Sequence, residues 1–174
     1  MKKTNKPTKV ILQQVRRLYH ANSLIYKSLA HLQNKATGLD LKESYEIEME
    51  ERLRQQHRIE IIFNILKEST KGSADDVILA MTSSQKKLTK EASDNSHMDA
   101  MMIVTSHALA TAQVHGYETT INCAEGVINP EITRLLRRAL REEKDIEKRL
   151  AALEELYKEA INGKKLYEEA CEFH

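Results

Sequence analysis

Apolar residues recur along most of this chain at alternating spacings of three and four. That spacing keeps them on one face of an α-helix. The first run, from about Thr8 to Lys35, carries the stripe Ile11, Val15, Leu18, Asn22, Ile25, Leu29, Leu32 and Ala36, with Thr37-Gly38 as its stop. The second, from about Asp40 to Thr70, carries Leu41, Tyr45, Glu48, Arg52, Gln55, Ile59, Ile62 and Leu66, and Lys71-Gly72 ends it. A shorter helix follows to about Lys90, with Ser73 as N-cap and Asp75 and Asp76 at its positive end. Its expected buried face is Val77, Ile78, Met81 and Leu88.

After a polar hinge at Glu91 to Asn95, Ser96 and Asp99 have the spacing of a capping box. The third long helix, from about His97 to Ile128, has the stripe Ala100, Ile103, His107, Ala110, Val114, Tyr117, Ile121 and Ala124. Asn129-Pro130-Glu131 is a strong start signal, with Asn as cap, Pro in the first turn and an acid beside it. The fourth long helix carries Ile132, Leu136, Ala139, Glu143, Ile146, Leu150, Leu153, Tyr157 and Ala160, and the glycine at 163 is expected to interrupt it.

Tight joins make the first and second helices one antiparallel hairpin and the third and fourth another. The join from Lys71 to Ser96 is long enough to run back along the bundle. A helical crossover between the second and third long helices predicts a ferritin-like layout; a simple up-down-up-down bundle does not need it. The expected organisation is an N-terminus at residues 1–7, a ferritin-like four-helix bundle at 8–162 and a short C-terminal extension at 163–174.

Polar residues interrupt each stripe near its middle: Asn22, then Glu48, Arg52 and Gln55, then His107, then Glu143. A lone carboxylate on a buried face costs several kcal/mol unless a cation, a metal or a hydrogen-bond network meets it. Four-helix di-metal sites occupy such a layer, and carboxylates suit them because they bridge hard cations and offset their charge. The plainer reading is a register device at Asn22, a satisfied core histidine at His107 and ion pairing at Arg52. Glu48 and Arg52 also have the favoured spacing for a helix ion pair.

Charged residues make up 30% of the chain, yet the net charge is only +1, so composition points to neither nucleic acid nor a membrane surface as partner. The basic start has no apolar region after it, and no stretch approaches the ~20 apolar residues of a spanning helix. Cys123 and Cys171 lack metal-ligand spacing and suit a reducing cytoplasm, with Cys123 expected to pack in its helix. The basic run Arg134, Arg137, Arg138 and Arg141 is expected to be a solvated face, and the acidic run from Glu43 to Glu51 to face solvent or salt-bridge a neighbour. No glycine-rich phosphate loop is present.

The run Leu135-Leu136-Arg137-Arg138-Ala139-Leu140-Arg141-Glu142-Glu143-Lys144 resembles the last helix of the ferritin-like stress proteins of the YciE/YciF type. Met49-Glu50-Glu51 with Gln55, Tyr117 with Ala124-Glu125, and Leu18-Tyr19-His20-Ala21 extend the resemblance from about Leu18 to Leu153. It implies a ferritin-like bundle, a homodimer and a candidate di-metal site. Glu51, Gln55 and Glu143 stand where the family has polar or acidic candidates, and Glu147 stands where it carries Asp. The departures weigh more. Asn22 replaces a family Glu, Ala110-Thr111-Ala112-Gln113 replaces a Glu-His-Tyr-Glu run, and Arg52 adds a fixed positive charge.

The expectation is therefore a stress-associated, non-enzymatic structural or binding protein with a degenerate di-metal site. It has no cofactor, and Arg52 answers Glu143 within a polar network of Asn22, Glu48, Arg52, Gln55, Glu143 and Glu147. The alternative is an oxidase or peroxide-handling protein holding iron or manganese on Glu51, His107 and Glu143. A third reading is a helical adaptor for a protein partner the sequence does not name.

Overall fold

The computed structural model describes residues 6–72, 76–92 and 94–172. Five helices follow one another: α1 (Lys6–Lys35), α2 (Leu39–Leu66), α3 (Asp76–Glu91), α4 (Asn95–Ala124) and α5 (Pro130–Glu172). Among the described residues there is no strand. The chain is an all-α bundle of four long helices, with α3 as the helical crossover between α2 and α4.

Side-chain contacts give the topology. Arg16 of α1 reaches Glu68 just beyond α2, and Tyr19 of α1 reaches Glu60, so α1 and α2 run antiparallel. Glu118 pairs with Lys144 and Thr111 with Glu147, so α4 and α5 do too. Thr37, after α1, meets Asp99 of α4, and Arg58 of α2 meets Glu142 of α5. Each long helix thus has two antiparallel neighbours, and α2 lies parallel to α4 across the diagonal. The crossover α3 lies against α1 and α4.

The apolar stripes fill two large cores and a small third cluster of Ala110, Ile146 and Leu150. One gathers Ile11, Val15, Leu18, Ile59, Ile62, Phe63, Tyr117, Ile121 and Leu136. The other gathers Ile25, Leu29, Leu32, Leu41, Tyr45, Ile78, Met102, Ile103 and Leu153. Burying side chains of this size contributes about 1.5–3 kcal/mol each, so these two clusters drive folding. Between them lie Asn22, Glu48, Arg52, Gln55 and Glu143, all buried, so a charged layer divides the apolar interior.

Several boundaries differ from the sequence expectation. Helix α2 stops at Leu66, because Lys67 takes a left-handed conformation (φ 55°) and its N–H turns back to the Asn64 carbonyl. Helix α4 stops at Ala124; the Glu125 backbone is extended, and Gly126 then takes φ 71°. Asn129 starts α5 as expected, accepting from the Glu131 N–H at 2.9 Å. Helix α5 does not break at the glycine at 163. One glycine costs a helix only about 1 kcal/mol, less than is needed to end it.

The cap of α4 is Asp94, which accepts from the His97 N–H, so Ser96 and Asp99 do not form a capping box. Asp99 instead turns inward. It accepts from the Thr37 N–H, the Thr37 hydroxyl (2.7 Å) and the Gly38 N–H (2.8 Å), tying the α1–α2 turn to α4. On α3 the buried residues are Ile78, Thr82 and Gln85, while Val77 is exposed and Met81 and Leu88 are half-buried. Cys123 is exposed, not packed. The arginines at 134, 137, 138 and 141 are exposed, as expected for a solvated face. Residues 1–5, Ser73 and Asp75, the side chains of Ala160 and Cys171, and the last two residues of the extension lie outside the described structure.

Candidate functional site

Period-matched spacing on α1, α2 and α5 brings Asn22, Glu48, Arg52, Gln55 and Glu143 to the same depth. Arg52 is at the centre. Its Nη1 and Nη2 donate to Glu143 Oε2 and Oε1 at 2.6 and 2.7 Å, the parallel two-bond geometry that suits a guanidinium and a carboxylate. Its Nη2 and Nε donate to Glu48 Oε1 at 2.9 and 3.3 Å. Its Nη1 also donates to Asn22 Oδ1 at 3.2 Å, and Asn22 Nδ2 donates back to the Arg52 carbonyl. Gln55 Nε2 donates to Glu143 Oε2, and the Tyr117 hydroxyl donates to Gln55 Oε1.

All five guanidinium N–H directions are thereby used. Arg52 is 1% exposed, Glu143 0% and Glu48 2%. Burial alone would lower the Arg52 pKa, but Glu143 and Glu48 outweigh it and hold the guanidinium above its ordinary value. Burial pushes the Glu48 and Glu143 carboxyls upward, against the opposing pull of Arg52. Burial likewise raises the Tyr117 hydroxyl, with Glu143 adding to it. Tyr117 therefore serves the layer as a neutral donor.

The other sequence candidates point elsewhere. Glu51 accepts from Arg149 Nη2 at 2.8 Å. His107, half-buried, meets Glu154 Oε2 through Nδ1 at 2.6 Å. Glu147 accepts from the Thr111 hydroxyl at 2.8 Å and is not part of the Arg52 network. So Glu51, His107 and Glu143 each have a separate partner. Among the described residues no three or more His, Cys, Asp or Glu side chains gather to hold a metal ion.

The donor chemistry does not fit a di-metal centre either. Such centres need carboxylates or His from all four helices. Here α1 supplies Asn22, α4 supplies the Tyr117 hydroxyl, and a permanent cation stands between the two remaining carboxylates.

A second polar network adjoins the first, and the helical periodicity does not single it out. Ser28 Oγ donates to Gln85 Oε1 at 2.8 Å, Gln85 Nε2 donates to Ser106 Oγ at 3.1 Å, and Ser106 Oγ lies 3.3 Å from the Tyr45 hydroxyl. One side chain of α3 thus links α1 to α4 and, through Ser106, to α2. The sequence signal is faint. Gln85 continues the face of Ile78 and Thr82, but one glutamine in a polar helix does not stand out. Glu48 lines a narrow gap shared with Ser28, Gln85 and Ser106.

Comparison with known proteins agrees with this architecture. The solved structure of YcfI from Rhodopseudomonas palustris, provisionally described as a structural protein, superposes with a TM-score of 0.81 at 25% identity. The match covers 86% of this chain and 96% of that one. The E. coli stress protein YciF superposes with a TM-score of 0.83 at 19% identity, covering 88% and 98% of the two chains. A search of curated proteins finds no match. Residues 6–164 match the family described as "Domain of unknown function (DUF892)", and the chain, with its YciF-like helical bundle, belongs to that family.

Proposed function

We propose that this protein is a non-enzymatic, stress-associated structural or binding protein in which an ion pair occupies the position of a di-metal centre. The observation that carries the reading is Arg52. Its guanidinium is fully buried, saturated by Glu48, Glu143 and Asn22, and lies where a metal would need those carboxylates free. A metal would meet one fixed positive charge and too few anionic donors. The descriptions of two similar solved structures, a stress protein and a structural protein, support the same class of role.

The structural role extends to assembly as a homodimer in the cytoplasm. Two-fold dimers are the commonest symmetric assemblies among soluble homo-oligomers. Among the described residues no helix is long and apolar enough to cross a membrane.

Metal content and mass test the reading together. Protein purified without chelator, then incubated with iron(II) or manganese(II) and desalted, is expected to retain only trace metal. Light scattering is expected to give twice the chain mass. Stoichiometric, tightly held metal would overturn the reading and restore the oxidase or peroxide-handling alternative. A monomeric mass would remove the dimer while leaving the ion-pair reading in place.

A further inference from the structure

The polar layer is unbalanced. Two buried carboxylates, Glu48 and Glu143, meet one guanidinium. Glu143 uses both oxygens, taking two bonds from Arg52 and a third from Gln55. Glu48 uses only Oε1; its Oε2 is shut off from solvent and has no hydrogen-bond partner. Arg52 has no N–H left to give it. The gap that Glu48 lines is also walled by Ile25, Leu29 and Leu109, and no point in it is wide enough for a water molecule. An ionised Glu48 would rest on the Arg52 bonds to Oε1 alone, with Oε2 neither hydrated nor hydrogen-bonded, and burying that half-answered charge is costly.

Apart from Arg149, which pairs with Glu51, the groups that face Glu48 offer no second cation. Helix α1 presents Asn22 and Ser28, α3 presents Gln85 and α4 presents Ser106, all uncharged. On its own helix are Arg52, Tyr45 and Glu51. From α5 come Glu143 and Arg149, and Arg149 is already paired with Glu51. Burial is the largest influence and favours the neutral carboxyl, with a small contribution from Glu51, against the opposing pull of Arg52 and Arg149.

We propose that Glu48 Oε2 is a buried proton-binding site, so that the folded protein holds Glu48 as a neutral carboxylic acid at neutral pH beneath the crossover helix α3. The layer then contains one cation and one anion. Gln85 of α3 closes the site through its bonds to Ser28 and Ser106. Lifting α3 admits water, Glu48 loses its proton to solvent, and two anions compete for Arg52. The ligand is a proton and the moving part is α3, so docking of the crossover helix is linked to pH. This goes beyond the metal-free reading and does not depend on oligomeric state.

The sign follows from linkage. The folded carboxyl sits above its unfolded value, so the stabilisation is complete below the unfolded carboxyl pKa and is lost as pH rises toward the folded one. Full-length protein is expected to show a falling urea midpoint, and faster α3 amide exchange relative to intrinsic rates, from about pH 5 to about pH 8.

The variant Glu48→Gln keeps the shape and the neutral charge. It is expected to match or exceed the wild-type midpoint at the upper pH and to lose most of the slope. An unchanged slope in Glu48→Gln, or equal destabilisation at every pH, would overturn the proposal. Wild-type protein provides a check that needs no variant. With ¹³C-labelled glutamate, one side-chain carboxyl carbon is expected to show the shift of a protonated acid at neutral pH, and its absence refutes the assignment. Stabilisation by sodium chloride but not choline chloride, without that signal, would assign the site to a metal cation and overturn the proton.

Discussion

Arg52 and Glu143 lie 91 residues apart in the chain and meet through two parallel hydrogen bonds of 2.6 and 2.7 Å in a fully buried layer. Breaking a buried pair from one side leaves an unanswered charge, which costs about 3–5 kcal/mol. Arg52→Met is therefore expected to lower unfolding stability by about that amount, since it strands Glu143. The double variant Arg52→Met with Glu143→Leu removes both charges and is expected to recover much of the loss in urea denaturation. Strictly additive losses in the two variants would show that the pair has no coupling.

Asp99 is the clamp between the α1–α2 turn and α4. It accepts from two backbone N–H groups and one hydroxyl while 1% exposed. Asp99→Ala leaves those donors unpaired and is expected to cost roughly 2–3 kcal/mol. The expected local mark is faster amide exchange at Thr37 and Gly38. Unchanged protection at both amides would mean that water replaces the carboxylate without penalty.

Lys67 ends α2 in a left-handed conformation that strains a residue with a Cβ. Glycine adopts it freely, so Lys67→Gly is expected to raise stability by about 1 kcal/mol. A thermal melt of the variant checks this directly, and a lowered melting temperature would contradict it.

Gln85 makes two side-chain hydrogen bonds and is 1% exposed. Gln85→Leu leaves the Ser28 and Ser106 hydroxyls without that partner, at an expected cost of about 1–3 kcal/mol. The loss is expected to concentrate in α3 amide protection, with the four long helices retaining theirs. Uniform loss across all five helices would show that α3 unfolds only with the whole bundle.

Gly38 is packed under the Tyr157 ring. A side chain there would collide with the Tyr157 hydroxyl and the Asp40 carboxylate, which are hydrogen-bonded to each other at 3.0 Å. Gly38→Ala is expected to separate Tyr157 from Asp40 and cost about 1–2 kcal/mol. Tyrosine fluorescence and chemical denaturation report the two effects, and a neutral stability change would show that the ring moves aside easily.

Much of the bundle is written in local pattern. The spacing of Ile11, Val15, Leu18, Ile25 and Leu29 identifies the buried face of α1, because a helix of fixed pitch brings those positions to one side. The Asn129-Pro130-Glu131 start and the long α2–α4 connection with its own helix are equally legible. The polar interruptions at Asn22, Glu48, Arg52, Gln55 and Glu143 mark the layer, since a polar side chain in an apolar stripe has few other places to go. Helix ends were harder to place. Lys67 stops α2 through its backbone angle, a feature that a lysine does not advertise.

Partner choice is where tertiary structure takes over. His107 belongs to the apolar stripe of α4, yet it is half-buried and meets Glu154 of α5. Glu51 points to Arg149, so the three candidate ligands never converge. Asp99 has the spacing of a local cap and instead bonds across to another helix turn.

By itself the sequence determined where the helices lie along the chain, the buried faces of the long ones and that a charged layer crosses the interior, because these depend on periodicity within one helix. The sequence already pointed Arg52 at Glu143, but only the fold decided the two-bond geometry of that pair, that Gln85 seals Glu48 under α3, and that Glu48 Oε2 is left with no partner. Those outcomes depend on the relative rotation and depth of separate helices. A shift of one ångström or one residue in packing exchanges one hydrogen-bond partner for another, and no spacing within a single helix encodes it.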